Sequence, residues 1–134
     1  MILLLLSSDV KSLKMETEKI YPIEAVALLF GNILKNRFEV KKIEIIPNRL
    51  ISKSSFEVDP EIIAKNIVKA EKNGLEFIGI FHSHFGPATP SSIDKKSMRL
   101  WGDAVWLIFS STKYNFSAYQ LVGNKVKEID LQIK

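Results

Sequence analysis

The sequence predicts a single-domain α/β fold in which a mixed β-sheet has helices packed against it. The chain has 134 residues, enough for one domain with a sizeable core. Short apolar runs typical of strands alternate with stretches that carry helix start and stop signals. The predicted order is strand, helix, two or three strands, helix, strand, helix and three strands, which indicates an α/β sandwich.

Five segments make up the first half of this order. An apolar run without polar interruption indicates a central strand that is covered on both faces. Pro22 ends the first helix, and Gly31 with Asn32 predicts a bulge or turn. The expected segments are a strand at 2–6, a helix from Ser8 or Asp9 to about Ile20, the central strand at 25–30, a strand at 38–46 and a polar surface loop at 47–55.

The second half begins with the strongest helix start in the chain. Asp59 is a capping carboxylate followed by proline and glutamate, and Asn73 with Gly74 forms a C-terminal stop. Ser91 and Asp94 have the spacing of a capping box, which predicts a later helix start. The expected segments are a helix from 60 to about 73, a strand at 77–81, a helix at 92–100 and strands at 104–109, 114–122 and 125–133, the last two joined by a hairpin turn.

Composition excludes several classes of protein. There is no cysteine, so disulfides, cysteine-ligated zinc sites and a cysteine nucleophile are excluded. The formal charge is +4, and the densest basic cluster, at 35–42, is interrupted by Glu39, which argues against a nucleic-acid partner. The apolar N-terminus is too short for a signal peptide, and no run approaches membrane-spanning length. We therefore expect a cytoplasmic protein with no membrane partner.

The two histidines of the chain, His82 and His84, follow the apolar run at 77–81 and are two residues apart. On a strand such residues point to the same side, so both imidazoles can bind one metal ion. Asp94 adds a carboxylate, and this donor set suits a catalytic zinc ion (Zn2+) with one open coordination position. The simpler alternatives are two polar residues at a strand end and an ordinary helix cap. For Asp94 the cap and the ligand are compatible.

Glu24 opens the central strand, where burying a carboxylate costs free energy. An exposed acid just outside the strand is the default interpretation. If the strand instead lies beside the metal ion, Glu24 becomes the natural acceptor of a proton from metal-bound water. The long separation from His82 along the chain leaves both interpretations open.

Together these elements resemble the signature of the JAMM (MPN-plus) metalloprotease family. That signature is a Glu-x-x-Gly-Leu-Leu-x-Gly-like strand, then His-Ser/Thr-His-Pro, then Ser-x-x-Asp, and the matching stretches here are 24–31, 82–84 and 91–94. The resemblance covers residues 22–106. It implies one compact catalytic domain of prokaryotic or archaeal type over residues 1–134. The implied fold is an MPN-type (cytidine-deaminase-like) mixed sheet sandwiched by helices.

The resemblance also implies roles for the singled-out residues. His82, His84 and Asp94 would bind zinc. Glu24 would act as general base and then general acid, and Ser91 would position the water or stabilise the tetrahedral oxyanion. Such enzymes cleave after the C-terminal Gly-Gly of ubiquitin or ubiquitin-like modifiers, often at the isopeptide bond to lysine. The expected partner is a ubiquitin-like protein or its conjugates, and a homodimer is compatible with the resemblance.

Three positions depart from the family pattern. Phe85 replaces the usual proline, and Ala27 replaces a usual glycine. Six residues separate His84 from Ser91, one fewer than usual. With this shorter loop, Ser92 is the alternative to Ser91 if the helix begins one residue later.

Two other functions stay open on the sequence alone. The chain could trim a sulfur-carrier or ubiquitin-like precursor after Gly-Gly, or it could be a non-catalytic MPN scaffold that binds a partner protein. Such scaffolds usually lack the metal ligands, all of which occur here. In the enzyme, we expect the substrate tail to add as an extended strand beside the segment at 47–56, near Arg49 and Ser52.

Overall fold

The computed structural model describes residues 1–50 and 55–134. The described residues form seven strands and three helices, in the order that the sequence predicts. The strands are β1 (Ile2–Leu5), β2 (Val26–Ile33), β3 (Arg37–Ile46), β4 (Glu76–His84), β5 (Val105–Ser110), β6 (Asn115–Val122) and β7 (Lys125–Ile133), and the helices are α1 (Ser7–Ile20), α2 (Pro60–Lys72) and α3 (Ser92–Trp101).

These strands belong to one mixed sheet that closes on itself. Their order is β1-β3-β2-β4-β5-β6-β7, and β7 pairs back onto β1. The pairs β1–β3, β1–β7 and β4–β5 are parallel, and the remaining pairs are antiparallel. The prediction of an α/β domain with a mixed sheet is confirmed. The sheet is a closed barrel, however, whereas the sequence predicted a sheet sandwiched by helices.

Two irregularities in the pairing of β2 favour this closure. Its pairing with β3 shifts between Phe30 and Gly31, where the sequence predicts a bulge or turn, and its pairing with β4 shifts one residue earlier. A Cβ atom on Gly31 would collide with the Glu39 carbonyl oxygen, and one on Gly79 would collide with that of Val105. Bulges increase the bend and twist of a strand, which brings the first and last strands of the sheet together.

Two apolar clusters lie on the opposite faces of the sheet. The inner cluster receives side chains from every strand and from α1, whereas the outer cluster lies between β2, β4 and β5 and the helices α2 and α3. Alternation along β2 sends Ala27 and Leu29 to the inner cluster and Val26 and Leu28 to the outer one. The predicted central strand, covered on both faces, is therefore confirmed.

The helix starts agree with the sequence at α2 and differ at α1. The Asp59 carboxylate accepts a hydrogen bond from Glu61 N at 2.9 Å, as a capping residue should. In α1 the N-cap is Leu6, and the predicted caps Ser8 and Asp9 lie inside the helix. The Asp9 carboxylate accepts from Leu6 N at 3.4 Å. Asp9, at the third position of the helix, thus accepts from the backbone amide of the N-cap residue, as the acid of a capping box does, whereas Leu6 has no side-chain oxygen to accept from the first turn.

The segments that contain the motif residues meet at one end of the barrel. β2 begins at this end, and β3, β4 and β5 finish there, because β2 is antiparallel to its two neighbours and β4 is parallel to β5. The predicted loop at 47–55 follows β3 here, although residues 51–54 lie outside the described part of the chain. Within the described residues, none of the helices has the length and apolar character needed to cross a bilayer.

Candidate active site

Strand β4 presents both histidines on one face of the sheet. It continues through His84, beyond the segment at 77–81 that the sequence predicts. The His82 side chain is fully buried, and that of His84 is 11% exposed. Their Nε2 atoms lie 2.9 Å apart. The prediction that both rings point to the same side is confirmed.

Asp94 approaches the two histidines from the first turn of α3. Ser91 Oγ accepts a hydrogen bond from Asp94 N at 3.0 Å, and Asp94 Oδ2 accepts one from Ser91 N at 2.9 Å, which is the predicted capping box. The same Oδ2 atom lies 3.2 Å from His82 Nε2 and 3.0 Å from His84 Nε2. Because α3 begins at Ser92, the capping position belongs to Ser91.

Glu24 lies two residues before the start of β2 and is only 3% exposed, so the default interpretation of an exposed acid is wrong. Val26 pairs with His82, and the same register continued by two residues places Glu24 opposite His84. One ligand atom from each of Glu24, His82 and His84 lies within 4.8 Å of the others. The Glu24 Oε1 atom is buried and has no hydrogen-bond partner among the described residues.

The charges of the four side chains depend on burial and on their contacts. Burial raises the pKa of Glu24 to about 7, with His84 opposing and Asp94 reinforcing that shift. Burial lowers the pKa of His82. Burial alone would raise the pKa of Asp94, but hydrogen bonds from the two imidazoles hold it well below its usual range. Burial also opposes protonation of His84, yet bonds to Asp94 and the Pro87 carbonyl raise its pKa.

This arrangement fits a metal ion. The three donor atoms of His82, His84 and Asp94 are 2.9–3.2 Å apart, close to the roughly 3.3 Å between neighbouring ligands in a tetrahedral site with bonds of about 2.0–2.1 Å. His84 Nδ1 lies 3.0 Å from the Pro87 carbonyl oxygen, which only accepts hydrogen bonds. When His84 is neutral, its one ring proton therefore sits on Nδ1, and the Nε2 lone pair is left for a cation.

Two residues that support this cluster were missed as site residues by the sequence reasoning. Ser83, between the histidines, accepts from Ala25 N at 2.8 Å, and Ser83 N donates to Ala25 O at 3.0 Å. The Phe56 ring packs 4.8 Å from the His82 ring. Position inside the His-Ser-His motif was a signal for Ser83, but no local pattern places Phe56 over His82.

The departures from the family pattern have local explanations. Ala27 is fully buried in the inner cluster, on the face away from the histidines. Phe85 is 47% exposed and stacks on Tyr21, with ring centroids 6.1 Å apart. The shorter loop after His84 leaves the contact between Asp94 and both histidines intact.

Comparison with known proteins agrees with the geometry. Residues 9–122 match the family described as prokaryotic homologues of the JAB domain. A desampylase from Pyrococcus furiosus is 39% identical over 114 residues, which are 84% of this chain and 77% of that protein. A protein from Desulfitobacterium hafniense with a known solution structure superimposes with a TM-score of 0.85 at 27% identity, over 100% of this chain and 93% of that one. The chain therefore belongs to the prokaryotic JAB-domain family and is a compact, prokaryotic member of the JAMM/MPN type.

Proposed function

We propose that this hydrolase is a zinc-dependent isopeptidase that cleaves the amide bond between the C-terminal Gly-Gly of a ubiquitin-like modifier and a lysine. The observation that carries the proposal is the convergence of His82, His84 and Asp94 beside the buried Glu24. The Pyrococcus furiosus relative is a desampylase, an enzyme named for removing the ubiquitin-like modifier Samp. Conjugates of a Samp-like modifier are therefore the proposed substrate class.

Each of the five side chains has a role in this proposal. His82, His84 and Asp94 hold the zinc ion. When bound, zinc polarises a carbonyl group and lowers the pKa of water to about 7. Glu24 accepts a proton and later delivers it to the leaving amine, and a pKa of about 7 suits both steps. Ser91 stabilises the oxyanion, because accepting a bond from Asp94 N leaves its O–H group able to donate.

The modifier tail is proposed to add as an extended strand beside the segment at 47–56. Arg49, near the start of this segment, and Glu57, the residue after it, are joined by a backbone hydrogen bond and by an ion pair, both at 2.8 Å. Arg49→Ala should raise the KM for the conjugate without changing the zinc content. Unaltered cleavage by this variant would contradict the proposed binding of the modifier tail beside this segment. The second expected tail contact, Ser52, lies outside the described residues.

The proposal is tested with two substrates that share one modifier. The zinc-loaded protein is incubated with a lysine-linked conjugate and with a linear fusion, and the released modifier is weighed by mass spectrometry. Release of a modifier that ends in Gly-Gly from the lysine-linked conjugate, stopped by a chelator and restored by zinc, is expected. Preferential cleavage of the linear fusion would instead indicate precursor processing. No cleavage of either by a protein with one zinc per chain would favour the scaffold.

The presence of all four motif side chains in one cluster supports an enzyme over a scaffold. A scaffold has no need for a buried carboxylate, which costs free energy to desolvate. Glu24 nevertheless stays buried beside His84. A cytoplasmic location and a homodimer stay predictions.

A further inference from the structure

Asn48 follows β3 at the end of the barrel where the site lies. Its side-chain amide makes four hydrogen bonds, two through the nitrogen and two through the oxygen. Its Nδ2 atom donates to Glu24 O and to Ser55 O, each at 3.2 Å. Its Oδ1 atom accepts from Leu50 N at 2.9 Å and from Glu57 N at 3.0 Å. An amide has two N–H donors and two acceptor lone pairs, so all four are used. Two carbonyl partners on one side and two N–H partners on the other permit only this orientation.

Three of these four bonds join the two parts of the chain that flank the metal-binding cluster. One bond holds the backbone of Glu24, the proposed general base. Two others hold the residues on either side of Phe56, whose ring packs 4.8 Å from His82 and 5.9 Å from Trp106. A single side chain thus connects the base to the ring that covers a proposed ligand.

The Glu24 carboxylate needs such support from its backbone. Its Oε1 atom has no hydrogen-bond partner among the described residues, so contacts of that atom do not fix the position of the group. The backbone is held from both sides instead. Ser83 binds both polar groups of Ala25, and Asn48 binds the carbonyl of Glu24 itself.

We infer that Asn48 is a positioning residue for the isopeptidase reaction. It holds the backbone of Glu24 so that the carboxylate stays beside the metal ligands, where it can accept a proton. This inference rests on the proposed function. Misplacing a catalytic group by about 1 Å costs roughly 100-fold in rate. Because Asn48 acts through Glu24, its removal should lower kcat and leave the zinc content unchanged.

The test uses Asn48→Ala and Asn48→Asp. The aspartate keeps the acceptor for Leu50 N and Glu57 N but can donate to neither Glu24 O nor Ser55 O, so it removes the link to Glu24 while two of the bonds that hold the loop remain. Asn66→Asp is the matched control, because Asn66 is also partly buried and its Nδ2 atom donates to a backbone carbonyl, that of Ile62 at 2.8 Å, away from the site.

Both Asn48 variants should lower kcat by about 10- to 100-fold with one zinc retained per chain, and the control should stay within about twofold of wild type. In a Glu24→Gln background, Asn48→Asp should have little further effect on kcat, since the residue it positions is already disabled. A kcat within twofold of wild type, or a loss that is fully additive with Glu24→Gln, would overturn the inference.

A second measurement does not depend on activity. In the metal-free protein, amide hydrogen exchange at Ala25 should accelerate by roughly 5- to 10-fold in Asn48→Asp, because the bond that anchors the preceding carbonyl is lost. Unchanged exchange at Ala25 would contradict the role of Asn48 even if no substrate were cleaved. Absence of cleavage by wild type, with faster exchange in the variant, would count against the proposed function alone.

Discussion

Asp94 and Ser91 bind each other reciprocally, and the Asp94 Oδ2 atom that accepts from Ser91 N also lies within 3.2 Å of both histidine Nε2 atoms. A common helix cap therefore also holds the carboxylate that is proposed as a metal ligand. The cap fixes the carboxylate before any metal arrives, which reduces the entropy that is lost on binding. The two roles can be separated by substitution.

Asp94→Asn should separate them. The asparagine retains an oxygen that can accept from Ser91 N, so the helix cap is kept, although the metal-free protein loses the contacts of the ionised carboxylate with the two imidazoles. The neutral amide is a poor zinc ligand, so zinc affinity should fall on the order of 100-fold or more. Competition with a chromophoric chelator measures the affinity, and Lys95→Ala is the control on the same helix. Undiminished zinc binding in Asp94→Asn would remove Asp94 from the ligand set.

Ser91 is the helix cap, and its proposed second role is that of an oxyanion donor. Glycine at an N-cap costs only a few tenths of a kcal/mol, whereas alanine costs about 1 kcal/mol. Ser91→Gly should therefore stay close to wild type in thermal stability and lose activity by about 10²–10³-fold, as expected for removal of one oxyanion donor. Ser91→Ala should lose thermal stability as well as activity. If Ser91→Gly cleaved at the wild-type rate, Ser91 would be a cap only.

Glu24 should destabilise the metal-free protein at neutral pH. Its pKa rises from an ordinary value of 4.5 to about 7 in the folded state, so folding favours the protonated carboxyl. The cost of the ionised form is absent below pH 4.5 and complete above about pH 7, where it amounts to about 3 kcal/mol. Metal-free Glu24→Gln should therefore be more stable than wild type at pH 8 and equal to it near pH 4.5. The free energies of unfolding of the two proteins are measured in urea at pH 8 and at pH 4.5. A stability difference that is the same at both pH values would contradict the prediction.

Gly79 should be essential for packing of β4 against β5. A Cβ atom there would collide with the backbone of Val105, which cannot move without breaking the parallel pairing. Gly79→Ala should cost about 1–3 kcal/mol or more. Gly86→Ala is the control, since a Cβ at Gly86 meets no atom within 4 Å. Equal melting temperatures for the two variants would show that the strand pair yields more easily than the geometry indicates.

Local signals explain which parts of the site could be predicted. The shared face of His82 and His84 follows from strand alternation, and the placement of Asp94 follows from its capping box. Both depend on residues close in the chain. The burial of Glu24 opposite His84 depends on the register between β2 and β4, which residues 58 positions apart establish only in the folded sheet.

Closure of the sheet and the Asn48 contacts had no such local signal. Pairing of Leu3 with Leu131 joins the two ends of the chain and depends on the accumulated twist of every strand between them. Asn48 reads as an ordinary loop residue in the sequence, because its bond to Glu24 exists only where β3 ends beside the start of β2. The closure of the sheet and the position of Asn48 therefore depend on the register between distant strands, and not on local propensity.

The most direct test of the central claim compares zinc-loaded wild type with zinc-loaded Glu24→Gln on a Gly-Gly–lysine conjugate of a ubiquitin-like protein. The glutamine is nearly isosteric and retains the backbone anchors, so both proteins should hold one zinc per chain. Wild type should cleave, and Glu24→Gln should be slower by about 10²–10⁴-fold, the usual contribution of a general base. Cleavage by both at similar rates, or by neither although both hold zinc, would contradict the account.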